Sequence, residues 1–244
     1  MAIAQGVSVW VLEAPHGFGD AAVHAHHAIQ ITASLSGELA LSTQSETLRK
    51  PILAVKADAP HRFEAHGLLA FLFVEPESQM GRALTTSLFR ERPLVALDSA
   101  RTSGLFSPFA ATFEDDLEKD ELLRLGRAVV EQLVPGTQGR LPDPRIQKII
   151  DYASAHLDEP LSLERASQGI YLSPSRLRHL FVEQTGLAFK TYVLWLRLVR
   201  AVQAYSQGQS LTEAAHEAGF SDSAHFSRIF KRTFGLPATT LTRI

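Results

Sequence analysis

A segment rich in proline and glycine divides the chain into two parts with different residue patterns. Residues 134–144 read Val-Pro-Gly-Thr-Gln-Gly-Arg-Leu-Pro-Asp-Pro, with three Pro and two Gly. Proline lacks a backbone donor and glycine adopts conformations closed to other residues, so this composition interrupts regular structure. We therefore predict a first domain at 1–134, a linker at 135–144 and a second domain at 145–244.

The formal charge changes sign at the same place. Residues 1–140 carry 12 Lys+Arg against 17 Asp+Glu, a balance of −5, and residues 141–244 carry 12 against 9, a balance of +3. A basic second domain favours contact with a polyanion. The absence of cysteine excludes a disulfide framework, a thiol nucleophile and a cysteine-ligated zinc ion. Because neither a signal peptide nor a membrane-spanning apolar run is evident, we expect a soluble, cytoplasmic protein without membrane contact.

Short apolar segments separated by turn residues characterise the first part and predict a β-sandwich or barrel. The predicted strands are 7–12, 28–35, 38–42, 51–55 and 68–74. Helices are predicted at 79–91 and 114–133. The second of these has one broad apolar face, which either packs on the barrel or forms a dimer contact.

The second part is rich in helix-capping signals. Asp143 and Ser173 each precede a proline, the order typical of a helix start. Further caps are predicted at Ser162, Thr212 and Asp222, and helix ends at Gly186, Gly219 and Gly235. A single long helix is predicted at 188–206.

Two segments of this part share one order of elements. Residues 162–185 and 212–234 each read as a short helix, a tight turn and a capped helix. This is the helix-turn-helix arrangement, whose second helix enters the major groove of DNA. The long helix between them is about 30 Å in length, close to one turn of B-DNA at about 34 Å. One chain can therefore present two such motifs to successive major grooves.

The outward faces of the two second helices are polar or basic. Arginine pairs with guanine through two hydrogen bonds, serine is a permissive partner, and a lysine near the helix end suits a phosphate. The predicted DNA-contacting residues are Ser175, Arg176, Arg178, His179, Ser223, His225, Ser227, Arg228 and Lys231.

Residues 145–244 resemble the DNA-binding domain of the AraC/XylS family of bacterial transcription regulators. The resemblance rests on Leu-Ser-Pro-Ser-Arg-Leu-Arg-His-Leu-Phe at 172–181 and on the run from Ala218 to Pro237. It implies base contacts by Ser175, Arg178, His179, Ser223, His225, Ser227 and Arg228, and a contact of Lys231 with the DNA backbone. His179 stands where the family usually has arginine. The expected partners are promoter DNA and RNA polymerase. A homodimer is also expected, from the apolar face of the helix predicted at 114–133.

A group of histidines in the first part is similar to the metal-binding motifs of the cupin barrel. In a predicted strand at 23–31, alternation places His24, His26 and Gln30 on one face. Gly37 follows at the motif spacing, and His61 follows a proline. The resemblance implies His24, His26 and His61 as metal ligands, with Gln30 where the family has glutamate. Such a set suits a divalent Zn, Ni, Fe, Mn or Co ion. His16, His27 and His66 are expected at the surface or in turns.

These patterns leave three interpretations of the barrel: a metal site, an organic effector pocket without metal, and a vestigial barrel. The expected fold class is α+β multidomain, with an N-terminal cupin-like β-barrel and flanking helices. The C-terminal domain is expected to be all-α, with two helix-turn-helix motifs joined by a long helix. The expected function is a sequence-specific DNA-binding transcription regulator, not an enzyme, that senses a small molecule or metal ion. A cupin metalloenzyme of the oxygenase or isomerase type with an accessory DNA-binding domain is the alternative. An architectural DNA-binding protein without a sensor is the third.

Overall fold

The structure, a computed structural model, describes residues 1–17, 22–114, 118–136 and 139–243. It contains two compact units, one formed by Met1–Gly139 with Phe230–Ile244 and the other by Arg140–Ile229. The division after Gly139 lies within the predicted linker, of which residues 137 and 138 are outside the described residues. The unit boundaries differ from the predicted domains at the end of the chain, where Phe230–Ile244 group with the first unit.

Antiparallel strands dominate the first unit. They are β1 (Ala2–Ala4), β2 (Val7–Ala14), β3 (Ile29–Ser34), β4 (Glu38–Ser42), β5 (Thr47–Arg49), β6 (Ile52–Val55), β7 (Arg62–Val74) and β8 (Leu94–Ala96). The helices that follow or separate them are α1 (Gln79–Leu84), continued by a π-helical turn at Thr85–Phe89, then α2 (Ser99–Phe106), α3 (Pro108–Glu114) and α4 (Lys119–Leu133). The expected antiparallel β-region followed by helices is therefore present.

The long strand β7 organises the sheet. Its first half pairs with β4, in the register Glu38 to His66, and its second half pairs with both β2 and β3. The order of hydrogen-bonded neighbours is β1-β2-β7-β3-β6-β8, and β5 pairs with β4. Gly37 immediately precedes β4 and has a φ of +82°, and a Cβ there would lie 2.2 Å from the carbonyl oxygen of His66. Only glycine fits at this position, which explains the glycine of the motif.

Both faces of β3 are buried, and they differ in chemistry. Ile29, Ile31 and Ala33 belong to the hydrophobic core, whereas Gln30 and Thr32 point to the opposite face because side chains alternate along a strand. The core also contains apolar side chains of α4, namely Leu122, Val129 and Val130. The predicted apolar helix face thus packs within its own unit.

The second unit consists of helices. They are α5 (Pro144–Ala155), α6 (Leu163–Ala166), α7 (Pro174–Thr185), α8 (Phe189–Ser206), α9 (Leu211–Glu217) and α10 (Ser223–Phe234), the last of which continues beyond this unit. A 3-10 helix follows at Ala238–Arg243. Buried apolar residues of this unit include Ile149, Phe181 and Tyr192. No helix in the part of the chain that the structure describes is long and apolar enough to cross a membrane.

Local capping chemistry sets the helix boundaries. The side chains of Asp143, Ser162 and Ser173 each accept a backbone N–H of the first turn, as predicted. The predicted cap at Thr212 is wrong. Ser210 caps α9 instead, in a reciprocal capping box with Glu213.

Other predicted boundaries also need correction. The strand predicted at 23–31 begins only at Ile29. The helix predicted at 114–133 starts at Lys119, with residues 115–117 outside the described residues. The short helices α2 and α3, and the short strands β1, β5 and β8, were not predicted.

Candidate functional site

Three histidines of the first unit meet inside the β-region. The backbone N–H of His24 donates to the carbonyl of His61 and the N–H of His61 to the carbonyl of His24, both at 2.9 Å. This closed pair brings the two imidazole centroids to 4.3 Å, and the ring of His26 lies 5.0 Å from that of His61. One ring nitrogen from each histidine lies within 4.8 Å of the others, and all three side chains are buried. The structure therefore brings together the three histidines that the motif spacing singled out.

Backbone carbonyls fix the orientation of each ring. Nδ1 of His24, His26 and His61 lies 2.8 Å from the carbonyl oxygen of Ala22, Ala28 and Ala59, respectively. A carbonyl only accepts, so each Nδ1 carries the proton and donates it, and the Nε2 lone pair remains. This is the arrangement by which proteins orient metal-ligating imidazoles. Nε2 of His61 has no hydrogen-bond partner among the described residues.

Gln30 completes the cluster. Its Oε1 lies 2.9 Å from Nε2 of His26, and its Nε2 donates to the hydroxyl of Thr32 at 2.8 Å. Two lone pairs face each other across the first contact, an arrangement that a shared cation stabilises because both atoms then bind it. Rotation of the amide by 180° gives the alternative in which Gln30 donates to His26 and accepts from Thr32. Glutamine can thus satisfy its neighbours with or without a cation.

Burial keeps these imidazoles neutral. Burial lowers the pKa of His26 to about 4. Burial, together with the repulsion between protonated imidazoles at His61, His26 and His24, lowers the pKa of His61 to about 2. Burial also lowers the pKa of His24. Neutral imidazole is the form that binds a metal ion, so the cluster is ready for a ligand at neutral pH. Thr32 belongs to the site as the partner of Gln30, and its position two residues along the same strand face was the sequence signal for it.

His27 was expected at the surface or in a turn; it lies in a bend before β3, but the surface position is wrong. Its side chain is buried, and its Nε2 donates to the buried carboxylate of Glu77 at 3.0 Å. Burial alone would lower the pKa of His27, but hydrogen bonds to Asp58 and Glu77 outweigh burial and raise it to about 9. The strand alternation placed His27 opposite the cluster, yet it did not reveal the segment after β7 that covers this side. His16 and His66 are exposed, as expected.

The second candidate site is the outward surface of α7 and α10. Of the predicted DNA-contacting residues on α7, all four are exposed, while Leu177, Leu180 and Phe181 are buried on the opposite side. On α10 the exposed members are Arg228 and Lys231. Ser223, His225 and Ser227 are partly exposed.

His225 is held in position at the start of α10. Its backbone N–H donates to Oδ1 of Asp222 at 2.6 Å, as the predicted cap requires, and this bond lowers the pKa of Asp222. The ring Nδ1 lies 3.2 Å from the hydroxyl of Ser221, and the ring stands edge-on to Phe220 at 5.4 Å. A side chain fixed in this way loses little conformational entropy when it contacts a base edge.

Comparison with known proteins agrees with the C-terminal geometry. Residues 167–244 match the family described as a helix-turn-helix domain. The uncharacterized HTH-type transcriptional regulator YpdC of Escherichia coli K12 is 34% identical over 118 residues, 47% of this chain and 40% of that protein. The arabinose operon regulatory protein of the same organism is 30% identical over 141 residues, 57% of this chain and 46% of that protein. The matched regions thus span less than half of the length of each relative.

The fold extends the likeness to the whole chain. ToxT from Vibrio cholerae covers 98% of this chain and 98% of its own, with a TM-score of 0.59 at 13% identity, which shows a shared fold alone. The chain therefore carries an AraC-family helix-turn-helix domain in its C-terminal part and has AraC/XylS-type regulators as homologues. This confirms the resemblance of residues 145–244 to the AraC/XylS DNA-binding domain.

Proposed function

We propose that this protein is a sequence-specific DNA-binding transcription regulator whose first unit senses a ligand at the histidine cluster. The observation that carries the proposal is the repeated helix pair of the second part, α6 with α7 and α9 with α10. Each pair has a buried apolar face and an opposite face on which serine and arginine side chains are exposed or partly exposed. In this interpretation the two pairs are two helix-turn-helix motifs.

The connecting helix supports reading by both motifs. With 18 residues, α8 is about 27 Å in length at about 1.5 Å per residue. This approaches the rise of one B-DNA turn, about 34 Å. A single chain then recognises two half-sites on one face of the DNA. Homologues that are transcription regulators favour this function over an oxygenase or isomerase activity.

The first unit is interpreted as a cupin-like barrel with an effector site. His24, His26 and His61, with Gln30 as an oxygen donor, would hold a divalent Zn, Ni, Fe, Mn or Co ion. Such an ion would bind the lone pairs of all four side chains at once. A ligand stabilises the conformation that it binds more tightly, so occupation shifts the chain toward that state. An organic effector is the second candidate, since a ToxT structure is described as bound to an unsaturated fatty acid.

The DNA-binding part of the proposal is tested by selection from a random duplex library with the full chain. We expect enrichment of a sequence with two conserved blocks about one helical turn apart. Enrichment of no sequence, or of one block only, would contradict recognition by two motifs. A homodimer and contact with RNA polymerase remain predictions, and sedimentation of the chain with and without the selected DNA tests the first.

The sensing part is tested by metal content. Purified protein is incubated separately with each of the five metals, desalted and measured by plasma mass spectrometry. We expect near-stoichiometric metal in the wild type and in the exposed-histidine control His16→Ala/His66→Ala, and loss of metal in His24→Ala/His61→Ala. Equal metal in the two double variants would exclude the cluster as the metal site. Absence of metal from the wild type would favour the organic effector, and a thermal-shift screen of small molecules then follows.

A further inference from the structure

The second unit contains an open cavity, most of whose lining residues belong neither to the histidine cluster nor to the predicted DNA-contacting set. Its volume is about 890 Å³, and it lies among α6, α7, α8 and the start of α10. Apolar side chains form much of its wall, namely Leu161, Phe181, Val182, Phe189, Val193 and Leu194. Its volume is within the range typical of small-molecule sites, about 300–1,000 Å³. We call it the interhelical cavity.

The charged groups that line the interhelical cavity are all basic. They are Arg178, Lys190 and Arg197, and no aspartate or glutamate is among the described lining residues. Arg178 and Lys190 form no salt bridge within the described part of the chain. The guanidinium of Arg197 donates to the carbonyls of Leu157 and Glu159, at 3.1 and 3.2 Å. These contacts fix Arg197 without neutralising its charge, so the cavity is electropositive.

The start of α8 adds to this field. Its N-cap is Ala188, which lines the cavity and provides no side-chain hydrogen bond to the first turn. The N-terminus of a helix carries a partial positive charge, about half an elementary charge. Together with the three basic side chains, it makes an anionic group the complementary occupant of the cavity rim.

We propose that the interhelical cavity binds a small amphipathic anion, a compound with an acidic group and an apolar ring or chain. The acidic group meets the basic side chains and the helix start, while the apolar part covers the wall formed by Phe181, Val193 and their neighbours. A DNA phosphate satisfies only the first condition, because it offers no apolar surface. Val182 is 44% exposed, which leaves apolar area available to such a ligand.

Occupation has a consequence for DNA binding. Arg178 and His225 line the cavity and also belong to the predicted DNA-contacting set. An anion bound beside them neutralises positive charge on the surface that is predicted to contact DNA. The cavity ligand and DNA therefore compete, and this is a second control point, separate from the histidine cluster of the first unit.

The binding test uses 8-anilinonaphthalene-1-sulfonate as the probe with the full chain. N-phenyl-1-naphthylamine, which has the same rings without the sulfonate, is the matched ligand. Lys190→Glu reverses one lining charge, and Lys148→Glu makes the same change at an exposed position on α5 outside the cavity. We expect Lys190→Glu to weaken the sulfonate about tenfold, equal to about 1.4 kcal/mol. The neutral probe should change little, and Lys148→Glu should behave as wild type.

Three results would overturn the site: no saturable sulfonate binding, equal loss in the two lysine variants, or equal loss for the charged and neutral probes. Circular dichroism checks that each variant is folded, and Lys190→Gln replaces Lys190→Glu if the reversal prevents folding. Competition is measured as the anisotropy of the selected DNA duplex with and without the sulfonate. Unchanged DNA affinity at saturating probe would contradict the second control point. DNA binding without the probe is measured separately, so a failure of the proposed regulator function is distinguishable.

Discussion

Arg228 and Lys231 provide a test of whether α10 reads bases at one end and the phosphate backbone at the other. Both side chains are exposed, and they lie one turn apart on the helix. Neither forms a salt bridge within the described residues. Alanine is also the best helix former. Arg228→Ala and Lys231→Ala should therefore leave the helix folded, so a change in DNA affinity reports on the lost contact itself.

The two substitutions should change DNA binding in different ways, one through sequence discrimination and the other through overall affinity. An arginine that contacts a base through two hydrogen bonds contributes about 1–3 kcal/mol of discrimination, so Arg228→Ala should weaken the selected DNA by about 5- to 150-fold. Affinity for unrelated DNA should fall much less. A lysine on a phosphate gives no sequence discrimination, so Lys231→Ala should weaken both DNAs by a similar factor. It should also reduce the slope of log affinity against log salt by about 0.9.

The assay is fluorescence anisotropy of labelled duplexes over a range of salt concentrations, with the selected sequence and a shuffled one. Thermal melting of each variant serves as the folding control. Equal losses on both duplexes for Arg228→Ala would show that this residue does not read a base. A salt slope unchanged by Lys231→Ala would remove the phosphate contact. Either result would require a different orientation of α10 on the DNA.

Two further predictions concern the first unit. Gly37→Ala should cost at least about 3 kcal/mol of folding stability, because it combines a left-handed φ with a Cβ 2.2 Å from a carbonyl oxygen. Gly6→Ala is the control, because Gly6 has a similar φ of +85° but a Cβ there would lie 3.5 Å from its nearest neighbour, the Cβ of Ser78. It should cost about 1–2 kcal/mol. Equal losses of stability for the two variants in urea unfolding would contradict the close approach at Gly37. His27→Gln should cost about 2 kcal/mol, because the glutamine amide keeps a donor toward Glu77 but lacks the positive charge that His27 carries below its raised pKa of about 9. The exposed control His66→Gln should be close to wild type in the same assay, and equal effects would show that the His27 contact does not stabilise the unit.

Local rules predicted the second unit well because its determinants lie within a few residues of each other. The caps at Asp143 and Ser173 follow from a side chain and a backbone N–H two or three residues apart. The one wrong cap was also a local matter, since Ser210 and Glu213 form the Ser-x-x-Glu pattern of a capping box. That pattern, unlike the threonine at 212, predicts the observed start of α9. In the first unit, by contrast, a short strand such as β8 has too few residues to show a period, so its pairing with β6 defines it.

The alternation of side chains along a strand is not sufficient to predict how the histidine cluster forms. Alternation along one continuous strand would place His24 and His26 on one face, but neither residue lies in β3. Their convergence depends instead on a distant segment: His24 exchanges two backbone hydrogen bonds with His61, and the carbonyl of His26 accepts the N–H of Asp58 at 2.8 Å. Asp58, whose N–H forms one of these bonds, adopts a left-handed φ of 61°, a conformation that aspartate tolerates better than most residues. The spacing of the histidines therefore identified which side chains meet, while the pairing of the two segments determines how they meet. A substitution that disturbs this pairing, without touching an imidazole, should therefore lower the metal content below that measured for the wild-type protein.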